Sequence, residues 1–159
     1  MILAARPQSQ GRIVEVRKDW GVNAPALAVW QMITGECAIL DWHDRIATCR
    51  SYLNDQGLLT RDYVLHAEPG ETPITMVETE LLRSDPIMTI TYVVEIQGLP
   101  ITDYHAQMMV TPETEDRALA TIRSRFVMYP TGDPALDARD IVAGFYQSGL
   151  LKLADVVGR

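Results

Sequence analysis

Six consecutive segments of alternating character, each ended by turn-forming residues, constrain the fold of this chain more than any other feature. They cover approximately 45–53, 58–66, 74–82, 88–97, 101–111 and 118–128. In the segment 58–66, Leu59, Arg61 and Tyr63 share one side, which is the two-residue period of a β-strand. Tight turns such as Asn54–Gly57 connect antiparallel neighbours. The segments therefore predict an antiparallel meander.

The regions on either side of these segments complete the prediction. Residues 12–18 also alternate and predict a first strand. Pro25 suits a first helical turn and Gly35 suits a helix end, so we expect two short helices between the first and second strands. One long helix is predicted over about 134–157, with Asp133 as its N-cap and Pro134 at its first position. Its apolar stripe consists of Ile141, Val142, Phe145, Gly149, Leu153, Val156 and Val157.

An antiparallel sheet that buries one face needs a cover, and the long C-terminal helix carries the large apolar surface left for this purpose. We therefore predict an α+β helix-grip fold, in which a curved seven-stranded antiparallel sheet wraps around the long C-terminal helix and leaves an apolar cavity. A chain of 159 residues fits one domain. We assign residues 1–10 to a loose N-terminal arm and residues 11–159 to this domain.

The charge balance disfavours polyanionic partners. Lys and Arg number 14 and Asp and Glu number 21, so the formal net charge is −7. Nucleic acids and anionic membranes are bound mainly through Lys and Arg, and we expect neither partner.

The sequence contains no apolar run long enough for a membrane span. The apolar start of the N-terminus is too short for the core of a signal peptide, and we therefore expect no signal peptide. We therefore expect a cytoplasmic protein.

The sequence predicts no metal and no cofactor. Cys37 and Cys49 match no zinc or redox spacing, and we expect them to be reduced thiols. His43, His66 and His105 are scattered, and no cluster has metal-ligand spacing. His105 should point away from the Tyr104 face, which favours a surface or partly buried histidine over a metal ligand. There is no glycine-rich phosphate loop and no G-x-S-x-G motif.

A series of short motifs resembles one known superfamily along nearly the whole chain after residue 11. The motifs are Ala24-Pro25-Ala26 with Val29-Trp30, Asp41-Trp42, Gly57 with Arg61, Glu78 or Glu80, Asp103-Tyr104-His105-Ala106 with Val110-Thr111-Pro112, and Tyr146 with Gly149-Leu150 and Leu153. Their order and spacing resemble the START/Bet-v-like SRPBCC superfamily, in particular its bacterial polyketide cyclase/dehydrase-like branch. The resemblance implies a helix-grip fold with a ligand cavity. It leaves function open, because the superfamily includes aromatase/cyclases, lipid carriers, hormone receptors and chaperone activators.

The resemblance also implies candidate catalytic residues. Plant lachrymatory-factor synthases and related members use an Arg, a Glu and a Tyr inside the cavity. Carried over by position, these residues are Arg61, Glu78 and Tyr104, with Glu80 as a substitute for Glu78.

Strand parity gives an independent reason to consider the same residues. Glu78 and Glu80 share a face with Met76 and Leu82, and a charge on an apolar face must be paired to be buried. An Arg and a Glu on neighbouring strands could pair there, while a Tyr hydroxyl could bind a ligand oxygen. Together they could hold an enolate-like oxygen and move a proton. Two alternatives stay open: the pair closes one end of the cavity and Tyr104 caps the core, or the residues position a ligand without chemistry.

The residues that we expect to contact a ligand are mostly aromatic side chains and methionines. They are Trp30, Trp42, Tyr63, Met76, Tyr92, Met108, Ile122, Phe126, Phe145 and Gly149. Methionine fills irregular apolar space and suits an adaptable pocket, although an ordinary core is the alternative for these residues and for the tryptophans.

These observations favour a protein that binds a small hydrophobic or aromatic molecule, as a carrier of the lipid-transport kind does. The alternative is a metal-independent enzyme that catalyses cyclisation, dehydration or proton transfer on a polyketide-like substrate through Arg61, Glu78 and Tyr104. A protein-interaction role is a third hypothesis without direct support in the sequence. A homodimer is a candidate oligomeric state.

Overall fold

A computed structural model describes residues 11–131, 133 and 137–158, and the described chain folds into one sheet and three helices. In chain order the elements are β1 (Arg12–Val22), α1 (Ala26–Thr34), α2 (Ile39–Trp42), β2 (Ile46–Leu53), β3 (Leu59–Leu65), β4 (Thr75–Ser84), β5 (Thr89–Gln97), β6 (Ile101–Thr114), β7 (Arg117–Met128) and α3 (Ala138–Val157).

The sheet has seven strands in the order β1-β7-β6-β5-β4-β3-β2, and every neighbouring pair is antiparallel. Strands β2 to β7 form the predicted meander, and β1 joins the sheet beside β7. This arrangement confirms the predicted helix-grip fold. It also confirms the two short helices between the first and second strands.

The inner face of the sheet and α3 share one apolar core. Val142, Tyr146, Leu150 and Leu153 of α3 are buried together with inward-facing sheet residues such as Phe126. The alternation that predicted the strands is the reason, since alternate side chains are buried from Tyr104 to Val110 in β6 and from Ser124 to Phe126 in β7. Removal of this apolar surface from water is the main stabilising term that holds the helix on the sheet.

Bulges change the alternation at two places that position the site. In β4 the register shifts between Glu80 and Leu82, so that Leu82 is 67% exposed and Arg83 turns back towards Glu80. The prediction that Leu82 shares a face with Glu80 is therefore wrong. In β6 the irregularity lies between Thr102 and His105, and it leaves Tyr104 buried on the inner face.

The start of the C-terminal helix differs from the prediction. The helix begins at Ala138, and the side chain of Asp137 accepts a hydrogen bond from the backbone N–H of Arg139 at 2.9 Å. Asp137 is thus the N-cap in place of Asp133, because its carboxylate satisfies a free N–H of the first turn. Pro134 and the predicted N-terminal arm 1–10 lie outside the described residues.

The two cysteines form a disulfide, so the expectation of reduced thiols is wrong. Cys37 lies between α1 and α2, and Cys49 lies on the edge strand β2. The chain folds back after α1 and places the two Cα atoms 5.7 Å apart, within the range that a disulfide bridges. In the part of the chain that the structure describes, no helix combines the length and apolar character of a membrane span.

Candidate functional site

A cavity of about 440 Å³ lies between the inner face of the sheet and α3. Its volume is within the range of about 300–1,000 Å³ that is common for small-molecule sites. The wall is mainly apolar, with residues such as Ile90, Val94 and Val142. Asp44 and Arg45 also belong to the wall but are exposed, and they mark the mouth.

The three residues predicted as catalytic lie on one row across the sheet. Arg61 is directly opposite Glu78, Glu78 is opposite Val94, and Val94 is opposite Tyr104. All four residues line the cavity. Because neighbouring strands are roughly 5 Å apart, the backbones of Glu78 and Tyr104 are separated by about 10 Å, which is two strand spacings.

Arg61 is the buried centre of an ion-pair cluster that also contains a second arginine. Its guanidinium donates to Glu80 Oε2 at 2.8 Å and to Glu78 Oε1 at 3.3 Å. Arg83 donates two further bonds of 2.8 Å to the Glu80 carboxylate. Burial alone would raise the pKa of Glu80, but the bonds from Arg83 and Arg61 outweigh it and lower the pKa below its usual value. Glu80 does not line the cavity and acts as the structural partner of the two arginines.

Glu78, by contrast, lines the cavity, and 17% of its side chain is exposed. Burial raises the pKa of its carboxyl to about 7 against the opposing charge of Arg61, and the nearby Glu80 carboxylate contributes to the rise. The hydroxyl of Tyr63 also hydrogen-bonds to Glu78. A carboxyl that titrates near neutral pH can take up or release a proton in a reaction.

Tyr104 ends the row on the side opposite Arg61. Its hydroxyl forms a hydrogen bond with the hydroxyl of Tyr146 from α3, and its ring stacks on Phe126 with centroids 5.5 Å apart. Burial raises the pKa of Tyr104 to about 12 and the pKa of Tyr146 well above its ordinary value. Both phenols are therefore protonated at neutral pH and can donate hydrogen bonds.

Most of the predicted ligand-contacting residues line the cavity. Those on its wall are Trp42, Tyr63, Met76, Tyr92, Met108, Ile122, Phe145 and Gly149. Trp30 and Phe126 are not among the lining residues. The indole N–H of Trp30 donates to Asp85 at 2.9 Å, which ties it to the turn between β4 and β5, and Phe126 packs against the ring of Tyr104.

Several lining residues were not predicted as site residues, and two of them, Tyr146 and His43, bring buried polar groups to the wall. Tyr146 belongs to the buried side of α3, one helical turn after Val142, and helical spacing could have placed it there. His43, for which the sequence predicted no role, is only 3% exposed. The polar sequence Asp41–Asp44 gave no signal of this burial.

His43 connects the segment after α2 to the middle of α3. Its Nε2 lies 3.0 Å from the carbonyl oxygen of Phe145, and its Nδ1 accepts from the backbone N–H of Arg45 at 3.3 Å. Burial lowers the pKa of the imidazole to about 4. The ring is therefore neutral at physiological pH, with its proton on Nε2, which donates to Phe145.

The site contains no grouping suited to a metal ion. Among the described residues, no three His, Cys, Asp or Glu side chains lie together as a ligand set. Inside the mouth, which carries the exposed Asp44, Arg45 and His66, the polar groups of the wall are the Glu78 carboxyl, the Arg61 guanidinium, the His43 ring and several phenols.

Comparisons with known proteins agree with this architecture. Solved structures with similar folds include an uncharacterised protein from Bacillus thuringiensis, which is 23% identical, has a TM-score of 0.73, and is matched over 91% of this chain and 98% of its own. The Zhui aromatase/cyclase from Streptomyces sp. R1128 is 15% identical with a TM-score of 0.74, over 92% of this chain and 94% of its own. Truncated norcoclaurine synthase from Thalictrum flavum is 16% identical with a TM-score of 0.68, over 96% and 98% respectively.

These identities establish a shared fold only. A comparison with curated proteins finds no match. The family model described as polyketide cyclase/dehydrase and lipid transport, however, matches residues 14–158. Because this match covers nearly the whole chain, the protein belongs to the polyketide cyclase/dehydrase and lipid transport family.

Proposed function

We propose that this protein binds a small, largely apolar molecule in the cavity between the sheet and α3. The observation that carries the proposal is the cavity itself, which has a volume of about 440 Å³, a mainly apolar wall and a few polar tips. Such a wall favours apolar surface by the hydrophobic effect, while isolated polar groups orient the ligand. The family match supports the same class of ligand.

Native mass spectrometry of the purified protein tests this proposal. We expect a co-purified small molecule, or uptake of an apolar dye into the emptied protein. Met108→Trp should abolish binding, because Met108 is buried on the cavity wall and the indole would fill the space. Met109→Trp is the matched control, since Met109 does not line the cavity. If no molecule binds, or both variants behave alike, the proposal is wrong.

A second function, proton transfer on the bound molecule, is favoured by the position of Glu78. The carboxyl lines the cavity, its pKa is about 7, and Arg61 holds it from one side. We propose that the Glu78 carboxylate removes a proton from the carbon next to a ligand carbonyl, while Tyr104 donates a hydrogen bond to the oxygen as it gains negative charge.

In a dehydration the atoms balance without a cofactor. The C–H bond breaks and its proton passes to Glu78, and the electron pair forms the enolate. The enolate then forms a carbon–carbon double bond as the β-hydroxyl leaves, and that hydroxyl takes the proton back from Glu78 as water. The carboxylate is restored at the end of the cycle, as general acid–base catalysis requires.

Hydrogen–deuterium exchange at the α-carbon of a bound ketone tests this chemistry. With 2-acetylnaphthalene in D₂O, we expect the protein to accelerate exchange at the methyl group, with a rate that rises as the pH increases through about 7 and Glu78 ionises. Glu78→Gln should reduce the rate by about 100-fold or more. Glu95→Gln is the control, because Glu95 is exposed and does not line the cavity. If the ketone binds but the protein does not accelerate exchange, the proton-transfer proposal is wrong and only the binding function remains.

A further inference from the structure

We propose that the Tyr104–Tyr146 pair binds an uncharged oxygen of the ligand, such as that of a ketone, quinone or phenol, and that the cavity interior excludes carboxylates. This inference rests on the proposed ligand binding and adds its chemical class. It also assigns Tyr146 as a specificity-determining residue.

The pair is placed where the sheet and the helix meet at the cavity wall. Tyr104 comes from β6 and Tyr146 from α3, and their hydroxyls are hydrogen-bonded to each other. Both residues line the cavity. Ser124 of β7 is buried beside both hydroxyls, and Phe126 supports the Tyr104 ring from behind. The two hydroxyls therefore form a fixed polar point in a wall that is mainly apolar.

This polar point can both donate and accept. Each phenol has one hydrogen to donate, and one of the two hydrogens is used within the pair. The second hydrogen can be donated to the Ser124 hydroxyl, which lies beside both phenols, or to an acceptor on a ligand. Tyr92 lies on the same wall and interacts electrostatically with both phenols, so a third hydroxyl is near. A carbonyl oxygen, which has two lone pairs, suits such a group of donors.

The charges of the interior indicate why the ligand oxygen is uncharged. Arg61 lies between Glu78 and Glu80, and the Glu80 carboxylate is shared with Arg83. Among the described lining residues, the other arginine is Arg45, which is exposed at the mouth. A carboxylate beside the tyrosines would therefore be buried without a cation of its own, and burial of an unpaired charge is strongly unfavourable.

The same wall tolerates an anion only near the mouth. Arg45 and His66 line the cavity there and are exposed to solvent. A ligand that places its carboxylate at this end would keep the charge in water, and its binding would not depend on Tyr146. The dependence on Tyr146 therefore separates the proposed site from binding at the mouth.

Equilibrium dialysis with three naphthalenes of matched shape tests the inference. The probes are 2-acetylnaphthalene, which has a ketone, 2-ethylnaphthalene, which lacks the oxygen, and 2-naphthoate, which has a carboxylate. We expect the double variant Y104F/Y146F to weaken binding of the ketone about tenfold and to change binding of the hydrocarbon less than twofold, since only the ketone loses a hydrogen bond. Y146F alone should also weaken binding of the ketone.

Tyr52→Phe is the matched control. The Tyr52 hydroxyl donates to Asp62 at 2.9 Å, and Tyr52 does not line the cavity, so this variant should leave all three affinities unchanged. In the wild-type protein, 2-naphthoate should bind at least about tenfold more weakly than the ketone. Any naphthoate affinity that remains should be equal in the wild-type and double-variant proteins.

The outcomes distinguish the inference from the function on which it rests. If the wild-type protein binds none of the probes, ligand binding itself is contradicted. If the double variant binds the ketone and the hydrocarbon more weakly by the same factor, or binds both as well as wild type does, the tyrosine pair is only structural. If the ketone and 2-naphthoate bind equally well and both depend on Tyr146, the proposed selection against charge is wrong.

Discussion

At the scale of single residues, two glutamates of the same strand occupy very different environments. Glu80 receives bonds from Arg61 and Arg83, which lower its pKa despite burial. Glu78 has the longer contact with Arg61 and a bond from the Tyr63 hydroxyl, and burial raises its pKa to about 7. The difference comes from the bulge after Glu80, which turns Arg83 towards Glu80. One carboxylate is therefore fixed as an ion, while the other is available for proton transfer.

This difference predicts how stability depends on pH. Glu78 has a folded pKa of about 7 and an unfolded value near 4.5, so the folded state binds its proton more tightly. The stability that this proton contributes is complete below about pH 4.5 and is lost as the pH rises through about 7. Glu78→Gln cannot titrate and should gain stability relative to wild type between pH 5 and pH 8, by up to about 3 kcal/mol. Urea unfolding at both pH values measures the change.

Glu80→Gln is the matched control for this experiment. Because the pKa of Glu80 is lowered, its carboxylate is ionised at both pH values and its contribution is lost only at more acidic pH. We expect a loss of about 3 kcal/mol from the broken buried pairs at pH 5. The loss should be somewhat smaller at pH 8, because removal of the Glu80 charge also reduces the rise in the pKa of Glu78. The pKa of His43 is lowered from 6.5 to about 4 by folding, so its protonation makes the folded state less stable as the pH falls from 6.5 towards 4. All the proteins compared contain His43, so this effect cancels in the comparison. A constant difference between Glu78→Gln and wild type would contradict the assignment.

At the scale of elements, α3 is held by contacts that require a glycine in its interior. The ring of His43 approaches Gly149 so closely that an added Cβ would lie 2.6 Å from His43 Cδ2 and 3.0 Å from Nε2. The imidazole cannot easily move away, since both of its nitrogens are hydrogen-bonded. Gly149 therefore lets the helix lie against the α2–β2 connection that forms part of the cavity wall.

Two glycine-to-alanine substitutions in α3 should have opposite effects on stability. Alanine is favoured over glycine in a helix by about 1 kcal/mol. At Gly144, where an added Cβ meets nothing within 4 Å, we expect Gly144→Ala to stabilise the protein by roughly that amount. At Gly149, the overlap with His43 should outweigh the helix preference, and we expect a net loss of about 1–2 kcal/mol. Thermal unfolding of both variants measures the effects, and equal shifts would contradict the packing role.

At the scale of the whole molecule, the cavity depends on how the segment around α2 is fastened over the sheet. The Cys37–Cys49 disulfide ties the start of this segment to β2, and the bond from His43 to Phe145 ties its end to α3. Cys37, Ile39, Trp42 and His43 all line the cavity. The segment thus connects the sheet edge to the terminal helix across one side of the cavity wall.

Removal of the disulfide should destabilise the fold as a whole. The bridge closes a loop with a sequence separation of 12, and such a cross-link restricts the unfolded chain by about 3 kcal/mol. Cys37→Ser/Cys49→Ser should lose approximately this amount in urea unfolding, and dithiothreitol should produce the same loss in the wild-type protein only. If dithiothreitol leaves the wild-type protein unchanged, or the serine variant is equally stable, the bridge does not contribute to stability.

The elements themselves were readable from local sequence, but some of their boundaries were not. Strand alternation and turn residues predicted the meander, since each depends on near neighbours in the chain. Asp137 replaced Asp133 as the helix cap, and the bulge after Glu80 displaced Leu82, because both depend on where neighbouring elements pack. The same reason hid the pairing of Cys37 with Cys49, whose approach requires the chain to fold back after α1.

The sequence by itself determined the seven strands and the terminal helix, because the period of side chains is a local property. The family resemblance implied Arg61, Tyr104 and either Glu78 or Glu80 as candidates. Only the tertiary structure decided that Glu78 lines the cavity while Glu80 serves the arginines, and that Tyr146 and His43 join the wall. Those outcomes depend on distances between segments far apart in the chain, and the pattern within any one segment does not contain them.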